Sequence, residues 1–395
     1  MSADVSCRHS RGSRTLHPMS PKIVLFGATG YTGARTAEAM TRRGMHPVLA
    51  GRDPSRLAVL ARRLGGLLTA HADVTDPASV RALIDAGDVL VSTVGPFARL
   101  GEPAVSAAVD AGAVYFDSTG EPPFIRRVFE RHGPVAERSG AALLTAFGND
   151  YVPGVLAGAL ALTGAGVGTV RVDVGYYITG GDAFAQPFSQ GTLNSVVGIL
   201  LEPMYTFRDG TLHSEPAGAR YRTFEVAGRP RPAVSIGALE QFALPRFAAT
   251  GIAPALRNVD VYLGWFGPAS RAVHLGSRVT PLIGRVDPLA RTFTRLARLA
   301  ASRASDEPSA ARLAASTSYF VAEAYGGSDE PLARMVLTAP DGYAITADLL
   351  AWGAGHAAEH GVRGVGALDP VAAFGLDTLR AGAAEAGIEP VSAYP

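Results

Sequence analysis

The chain has 395 residues, of which 47% are hydrophobic and 18% charged, and its formal net charge is +1 at pH 7. That is enough apolar material for the cores of two domains, while the near-neutral balance excludes the broad basic field that nucleic acid or an anionic membrane would select. A single cysteine, Cys7, and a single lysine, Lys22, exclude disulfides, cysteine metal sites, a thiol nucleophile and Schiff-base chemistry.

Residues 1–20 are polar and arginine-bearing without an apolar core, and they predict a disordered tail rather than a signal peptide, hence a cytoplasmic protein. Residues 23–26, Ile-Val-Leu-Phe, read as a strand buried on both faces. The strand runs into Gly27, Gly30 and Gly33, and a helix is predicted over 32–43 with Gly44 as its stop. Strand, glycine turn and helix make an anion site, because backbone N–H groups at the helix start can face a pyrophosphate. The spacing departs from Gly-x-Gly-x-x-Gly, so the flanking elements carry the reading. Gly27, Thr29, Gly30, Tyr31, Thr32 and Gly33 are the residues expected around a dinucleotide. The strand over 46–50 ends in Gly51-Arg52-Asp53, where an acid would take the ribose 2′-hydroxyl of NAD and an arginine the 2′-phosphate of NADP. Arg52, with Arg56 one turn on, favours NADP(H), since a guanidinium fork matches a phosphate dianion. Asp53 keeps NAD as the alternative.

The strand over 67–73 ends at Asp73, which either accepts from the adenine amino group or serves as a loop acid or cap. A helix is predicted over 75–86 and a strand over 88–93. That strand leads into Gly95, Pro96 and Phe97, a loop expected to cover the nicotinamide end at the carboxyl edge of the sheet. After a helix over 105–111, the strand at 114–116 ends in Asp117-Ser118-Thr119-Gly120-Glu121, and the strand at 141–145 in Gly148-Asn149-Asp150-Tyr151. Thr119 and Gly120 are added to the expected cofactor residues. Alternating strands and helices predict an α/β fold, a Rossmann-type doubly wound parallel sheet over 21–150. The lone Lys22 begins the first strand, so the Tyr-x-x-x-Lys dyad of short-chain dehydrogenases is absent despite the suitable glycine turn.

Beyond it, the apolar stretch at 152–162 is too short to span a bilayer and reads as a buried helix. Alternating stretches at 170–179, 221–226, 258–264, 318–324 and 334–337 predict a mixed or antiparallel sheet in a second, α+β substrate domain over 151–340. Helices are predicted over 189–205 and 288–302. No internal repeat or low-complexity segment is evident.

Several motifs together resemble one family. Gly27-Ala28-Thr29-Gly30-Tyr31-Thr32-Gly33, Gly95-Pro96-Phe97 with Gly101 and Pro103, Tyr115-Phe116-Asp117-Ser118-Thr119-Gly120-Glu121, then Gly148, Asp150 and Pro153, and finally Asp341-Gly342-Tyr343 with Thr346-Ala347 are similar to the saccharopine dehydrogenase-like oxidoreductases. Within them the chain resembles the actinobacterial group that includes the mycobacterial trans-acting enoyl reductases. The resemblance implies that the second domain's sheet faces the nicotinamide and that residues 341–395 return to the first domain, with helices at 347–359 and 372–386. Val109, Asn149 and Asp306-Glu307-Pro308-Ser309 depart from the family pattern.

Hydride transfer needs a dry cleft and a proton donor. With no lysine or cysteine to serve, the candidates are Asp150 and Tyr151 at the end of the sixth strand, and Tyr176, Tyr177 and Gln186 in the second domain. Tyr176 and Tyr177 are neighbours on a strand, so they must face opposite sides. Phe184, Phe188, Tyr205, Phe207, Phe242, Trp265 and Phe266 either line a cleft or form the second core. His356-Ala357-Ala358-Glu359-His360 matches an inverted zinc-peptidase motif, but the usual third ligand is a glutamate well downstream and the only ones that follow, Glu385 and Glu389, lie at the very end, so a solvated helix face is the better reading and no metal is expected. The resemblance to the enoyl reductases implies an NADPH-dependent reductase of a carbon–carbon double bond in a lipid-like, polyketide or secondary-metabolite substrate. The expected partners are a small-molecule substrate, in one version held on a carrier protein or lipid, and a second copy of the chain in a homodimer. Two alternatives stay open: a saccharopine-type imine reductase, for which Arg171, Arg246 or Arg257 would hold substrate carboxylates, and a non-catalytic NADP sensor or redox-neutral enzyme.

Overall fold

The computed structural model describes residues 21–180, 204–277 and 316–391. The expected tail, the helix at 288–302, the departure at 306–309, Phe184, Gln186 and Phe188 lie outside the described residues, as does nearly all of the expected helix at 189–205.

Six short strands follow one another in the first half of the chain: β1 (Ile23–Phe26), β2 (Val48–Gly51), β3 (Thr69–His71), β4 (Val89–Ser92), β5 (Val114–Asp117) and β6 (Ala142–Leu144). They pair in the order β3-β2-β1-β4-β5-β6, all parallel. Val24, Leu25, Val89, Leu90 and Val91 have no exposed surface, as the unbroken apolar runs require of strands covered on both faces. The chain reverses direction across the sheet between β1 and β4, which opens a crevice beyond their carboxyl ends.

Eight further strands build a second sheet: β7 (Arg171–Thr179), β8 (Met204–Arg208), β9 (Thr211–Glu215), β10 (Tyr221–Val226), β11 (Arg229–Ile236), β12 (Asn258–Leu263), β13 (Thr317–Tyr325) and β14 (Pro331–Ala339). β7 and β12 are parallel while the other pairs are antiparallel, so the sheet is mixed. The β8–β9 hairpin joins it at Phe207 opposite Val259. One face, with Val172, Val174 and Tyr176, packs on the Val152–Ala165 helix. That helix is apolar all round because helices of the C-terminal region cover its other side. The opposite face carries Tyr177 in a small cluster with Phe224, Tyr262 and Val321.

The remaining chain serves both sheets. The Gly342–His360 helix lies along the Tyr31–Arg42 helix, then β15 (Gly366–Ala367) adds a seventh parallel strand beside β6, and β16 (Glu389–Pro390) pairs with β14. The return helix expected at 372–386 is instead two, Pro370–Phe374 and Leu376–Glu385, because Gly375 takes φ 83 between them. The helix expected over 75–86 contracts to Pro77–Arg81, and Tyr205, expected at a helix end, lies in β8. Among the described residues no helix is long and apolar enough to cross a membrane.

Candidate active site

The glycine turn sits at the mouth of the crevice. Gly27 has φ 87 and its N–H donates to the Ala50 carbonyl at 2.9 Å; a Cβ there would stand 2.8 Å from Thr93 Oγ1 and Val94 Cγ2. A Cβ on Gly33 would overlap the Gly27 carbonyl oxygen. These two glycines are therefore fixed by contact between β1, the helix and the end of β4. Gly30 is different: it is exposed, a Cβ on it would meet only the Gly27 oxygen at 3.4 Å, and no side chain caps the helix it begins. Open space above an uncapped helix start is the geometry a pyrophosphate needs, so the residues present fit a dinucleotide.

Beyond β2, Asp53 caps the Pro54–Arg63 helix by accepting from the Arg56 N–H at 3.0 Å. The Arg56 side chain returns to the Thr29 carbonyl at 2.9 Å. Arg52 is exposed beside them, and none of the described residues takes its guanidinium in a hydrogen bond. Asp73 is occupied within its own loop, accepting from Thr75 N and Oγ1, both at 2.8 Å. Those bonds, with the Arg52 charge as a lesser cause, hold its carboxyl below the usual range.

The loops after β4 and β5 are tied together by one carboxylate that reading the chain had left without a role. Glu121 accepts from Phe97 N at 2.7 Å and Ala98 N at 3.0 Å, which fixes the Gly95-Pro96-Phe97 turn and accounts for the two motifs occurring together. Gly95 and Pro96 stay exposed, whereas Phe97 turns inward onto Phe124 at 5.7 Å. Thr119 is likewise buried, its Oγ1 accepting from Glu121 N at 3.1 Å. Under this loop Asp117, fully buried, accepts from Thr119 N, Ala146 N and Thr145 Oγ1 at 2.7–2.9 Å. Burial nevertheless pushes its carboxyl up to about 6. Phe97 and Thr119 thus shape the edge of the crevice rather than present side chains to it.

Asp150 stands at that edge. It is half-buried, a Cβ on Gly120 would lie 2.5 Å from its Oδ2, and none of the described residues donates to it. Burial without a compensating donor pushes its carboxyl up to about 6. Tyr151, next in sequence, is buried and donates to the Gly120 carbonyl at 3.2 Å. Behind it the Tyr176 hydroxyl donates to Glu240 Oε1 and lies 3.4 Å from the Tyr151 carbonyl. Gly154 makes this pairing possible, since a Cβ there would overlap both Tyr176 Oη and Glu240 Oε1. Glu240 is wholly buried, its Oε2 has no partner, and burial lifts its carboxyl to about 8, which favours the neutral acid. Nothing in the sequence marks Glu240, an acid inside the apolar run Ala238-Leu239-Glu240-Gln241-Phe242.

Of the two adjacent tyrosines, Tyr176 faces the cofactor domain and Tyr177 does not. Tyr177 donates to the Arg231 carbonyl at 3.2 Å within the cluster on the far face, where a Cβ on Gly264 would overlap its ring. The alternation of the strand forces this separation, and it removes Tyr177 from the site. Tyr205 and Phe242 are buried and pack edge to face at 5.3 Å, so they belong to the core, while Trp265 and Phe266 are partly buried against it. Arg171 lies over the Tyr325 ring and pairs with Asp173, Arg246 donates to the Ala367 carbonyl, and Arg257 lies beside the Gly210 turn. None of the three is placed at Asp150. His356 and His360 stack at 4.6 Å, and no group of three metal-ligating side chains occurs among the described residues.

A family model described as NAD(P)H-binding matches residues 27–113, which takes in the glycine turn, Arg52 and the Gly95-Pro96-Phe97 loop. A putative trans-acting enoyl reductase from Mycobacterium tuberculosis is 39% identical over 147 residues, 35% of each chain, and a trans-acting enoyl reductase from Mycobacterium ulcerans 36% identical over 138 residues, 33% of each. The aligned part is thus about a third of the length of these curated relatives. Saccharopine dehydrogenase (L-Glu forming) from Saccharomyces cerevisiae superposes with a TM-score of 0.57 at 13% identity, covering 94% of this chain and 100% of that one. The chain has the saccharopine dehydrogenase-like fold. Homospermidine synthase from Legionella pneumophila, solved in complex with NAD, shares the saccharopine dehydrogenase-like fold with a TM-score of 0.59 at 9% identity, over 94% of this chain and 91% of its own.

Proposed function

We propose that the chain is an NADPH-dependent reductase acting on a carbon–carbon double bond of a lipid-like, polyketide or related secondary-metabolite substrate, either free or held on a carrier. The enoyl reductase relatives support the reaction class. The observation on this chain that carries the reading is Asp150: a half-buried carboxyl at the cofactor edge with no protein donor among the described residues and a pKa near 6. The glycine turn holds the pyrophosphate, and Arg52 holds the 2′-phosphate. Asp53 supports NADPH over NADH, because its carboxylate is committed to a helix cap and does not await a ribose. When bound, the cofactor supplies the hydride. Asp150, protonated, supplies the proton to the neighbouring carbon and is left as carboxylate, to be reprotonated through its exposed side. Glu121 fixes the loop that closes over the reacting atoms, and the buried Tyr176–Glu240 pair behind Tyr151 closes that side to water.

The test is NADPH oxidation with a panel of enoyl thioesters. The rate is expected to fall as pH rises through about 6, since the donor must carry its proton, and Asp150→Asn is expected to lose roughly 10²–10⁴-fold in kcat. Full activity in Asp150→Asn would remove it as donor, and turnover of cyclic imines in place of enoyl esters would move the assignment to imine reduction.

A further inference from the structure

A second feature lies on the other side of the Gly95-Pro96-Phe97 turn. Ala98, Arg99, Glu102, Arg127, Arg131, His132 and Val135 line an open cleft of about 500 Å³. Its charges do not balance. Glu102 is the one acid in the lining, and it is shared by His132 at 3.0 Å and Arg127 at 3.6 Å. Arg99 and Arg131 are exposed, and their guanidiniums make no ion pair or hydrogen bond with any described residue. Three guanidiniums against one carboxylate leave two positive charges uncompensated before His132 is counted. Arg35, Arg42, Arg43, Arg63 and Arg126 each have a carboxylate partner, whereas the guanidiniums of Arg99 and Arg131 have none among the described residues and meet in one concavity.

We propose that this cleft binds a phosphate-bearing group at the non-reacting end of the substrate. The chemistry selects phosphate: guanidinium forks match its tetrahedral oxygens bidentately, and a surplus of two charges matches a dianion. The cleft shares a wall with the reaction site through Ala98, whose N–H is held by Glu121 and whose carbonyl accepts from Arg127 at 3.3 Å. A phosphate drawn to Arg99, Arg127 and Arg131 therefore sits against the same short turn that carries Gly95 and Pro96, and tethers the substrate while its reactive end enters the crevice. This rests on the proposed reductase reading for the identity of the ligand as substrate, though not for the binding itself.

The binding is read by calorimetric titration of inorganic pyrophosphate into protein already saturated with NADP, so that the dinucleotide site is closed. Wild type is expected to bind, and the double variant Arg99→Ser/Arg131→Ser to bind at least ten times more weakly. Arg99→Lys/Arg131→Lys, which keeps the charge and loses the fork, should fall between. Both residues are exposed, so the variants should fold, as far-ultraviolet circular dichroism checks. In turnover, the quantity followed is kcat/KM for crotonyl coenzyme A divided by that for crotonyl N-acetylcysteamine, which lacks phosphate. This ratio should drop about tenfold in the serine double variant, and a crotonyl carrier protein in place of the coenzyme A ester tells whether the phosphate arrives on a small molecule or on a protein. Pyrophosphate binding that is equal in wild type and serine variant overturns the proposal, as does an unchanged ratio. If neither ester is reduced while pyrophosphate binding depends on the two arginines, the site stands and the enoyl reductase reading falls.

Discussion

Arg52 and Gly30 show how a single residue separates ligand chemistry from packing. Gly27 and Gly33 are demanded by the protein itself, whereas Gly30 and Arg52 face open space, and the proposed role of each is to meet a dinucleotide there. Arg52→Ala should therefore weaken NADPH at least tenfold more than NADH in paired binding titrations, the loss expected of a charge-assisted phosphate contact worth about 1.5–3 kcal/mol. Equal losses would assign the preference elsewhere. Glu240 makes the opposite point, a residue whose cost lies in the protein. Its pKa is raised from 4.5 unfolded to about 8 folded by burial among Tyr176, Tyr151 and Tyr205. The folded state then holds the proton that the unfolded chain releases, so stability is highest below pH 4.5 as far as this group is concerned and declines as pH rises to 8. Glu240→Gln should flatten that decline and raise Tm at pH 8 relative to wild type. A variant whose melting curve tracks wild type across the range would show that the carboxyl is already ionised.

At the scale of elements, the Val152–Ala165 helix links the two sheets along the chain, and Gly154 and Gly158 in it are spaces cut for neighbours. Gly154→Ala pushes a methyl into the Tyr176–Glu240 pair and should destabilise by about 1–3 kcal/mol; combined with Glu240→Ala, which vacates the space, the cost should be less than additive. Additive losses would mean the two groups do not compete for one volume. The parallel sheet was legible because its strands are apolar runs closed by glycine and its loops carry their own punctuation. The second sheet was half legible. β7, β10, β12 and β13 alternate visibly, but β11 contains Pro230 and Pro232, which sequence reading takes as breakers. They are tolerated because β12 pairs only with Val234–Ile236, leaving the prolines where one edge of the strand has no partner to lose. Of the β8–β9 hairpin only Met204 and Tyr205 fall within an expected element, the end of the 189–205 helix, and the rest has no assignment from sequence. At the site, the glycine turn and Asp150 stood in recognisable places, while Glu121 and Glu240 act through contacts of 24 and 64 residues in sequence separation, which no local pattern encodes.

Over the whole molecule, the two sheets share their closing segment. Arg35 pairs with Asp341 at 2.8 Å, and Tyr31 meets Tyr343 edge to face at 5.1 Å, so the helix that begins at the dinucleotide turn is clasped by one that begins at the end of β14. One cooperative transition is expected. The two tryptophans report it separately, Trp352 from the helix against the first sheet and Trp265 from the end of β12. Fluorescence of Trp265→Phe and of Trp352→Phe should give the same denaturant midpoint once each variant's own stability change is corrected by circular dichroism. Separate midpoints would make the sheets independent folding units.

Because β15 lies beside β6 but is encoded 222 residues after it ends, from Leu144 to Gly366, the order of synthesis leaves a flank of the first sheet bare. At translation rates of about 5–20 residues per second, β6 emerges roughly 10–45 s before the strand that covers it. During that interval an apolar parallel strand shows unpaired N–H and C=O groups to whatever is near, the condition under which strands add to one another. Nascent chains stalled between β6 and β15 should consequently be the species most in need of a chaperone, and the first to self-associate without one.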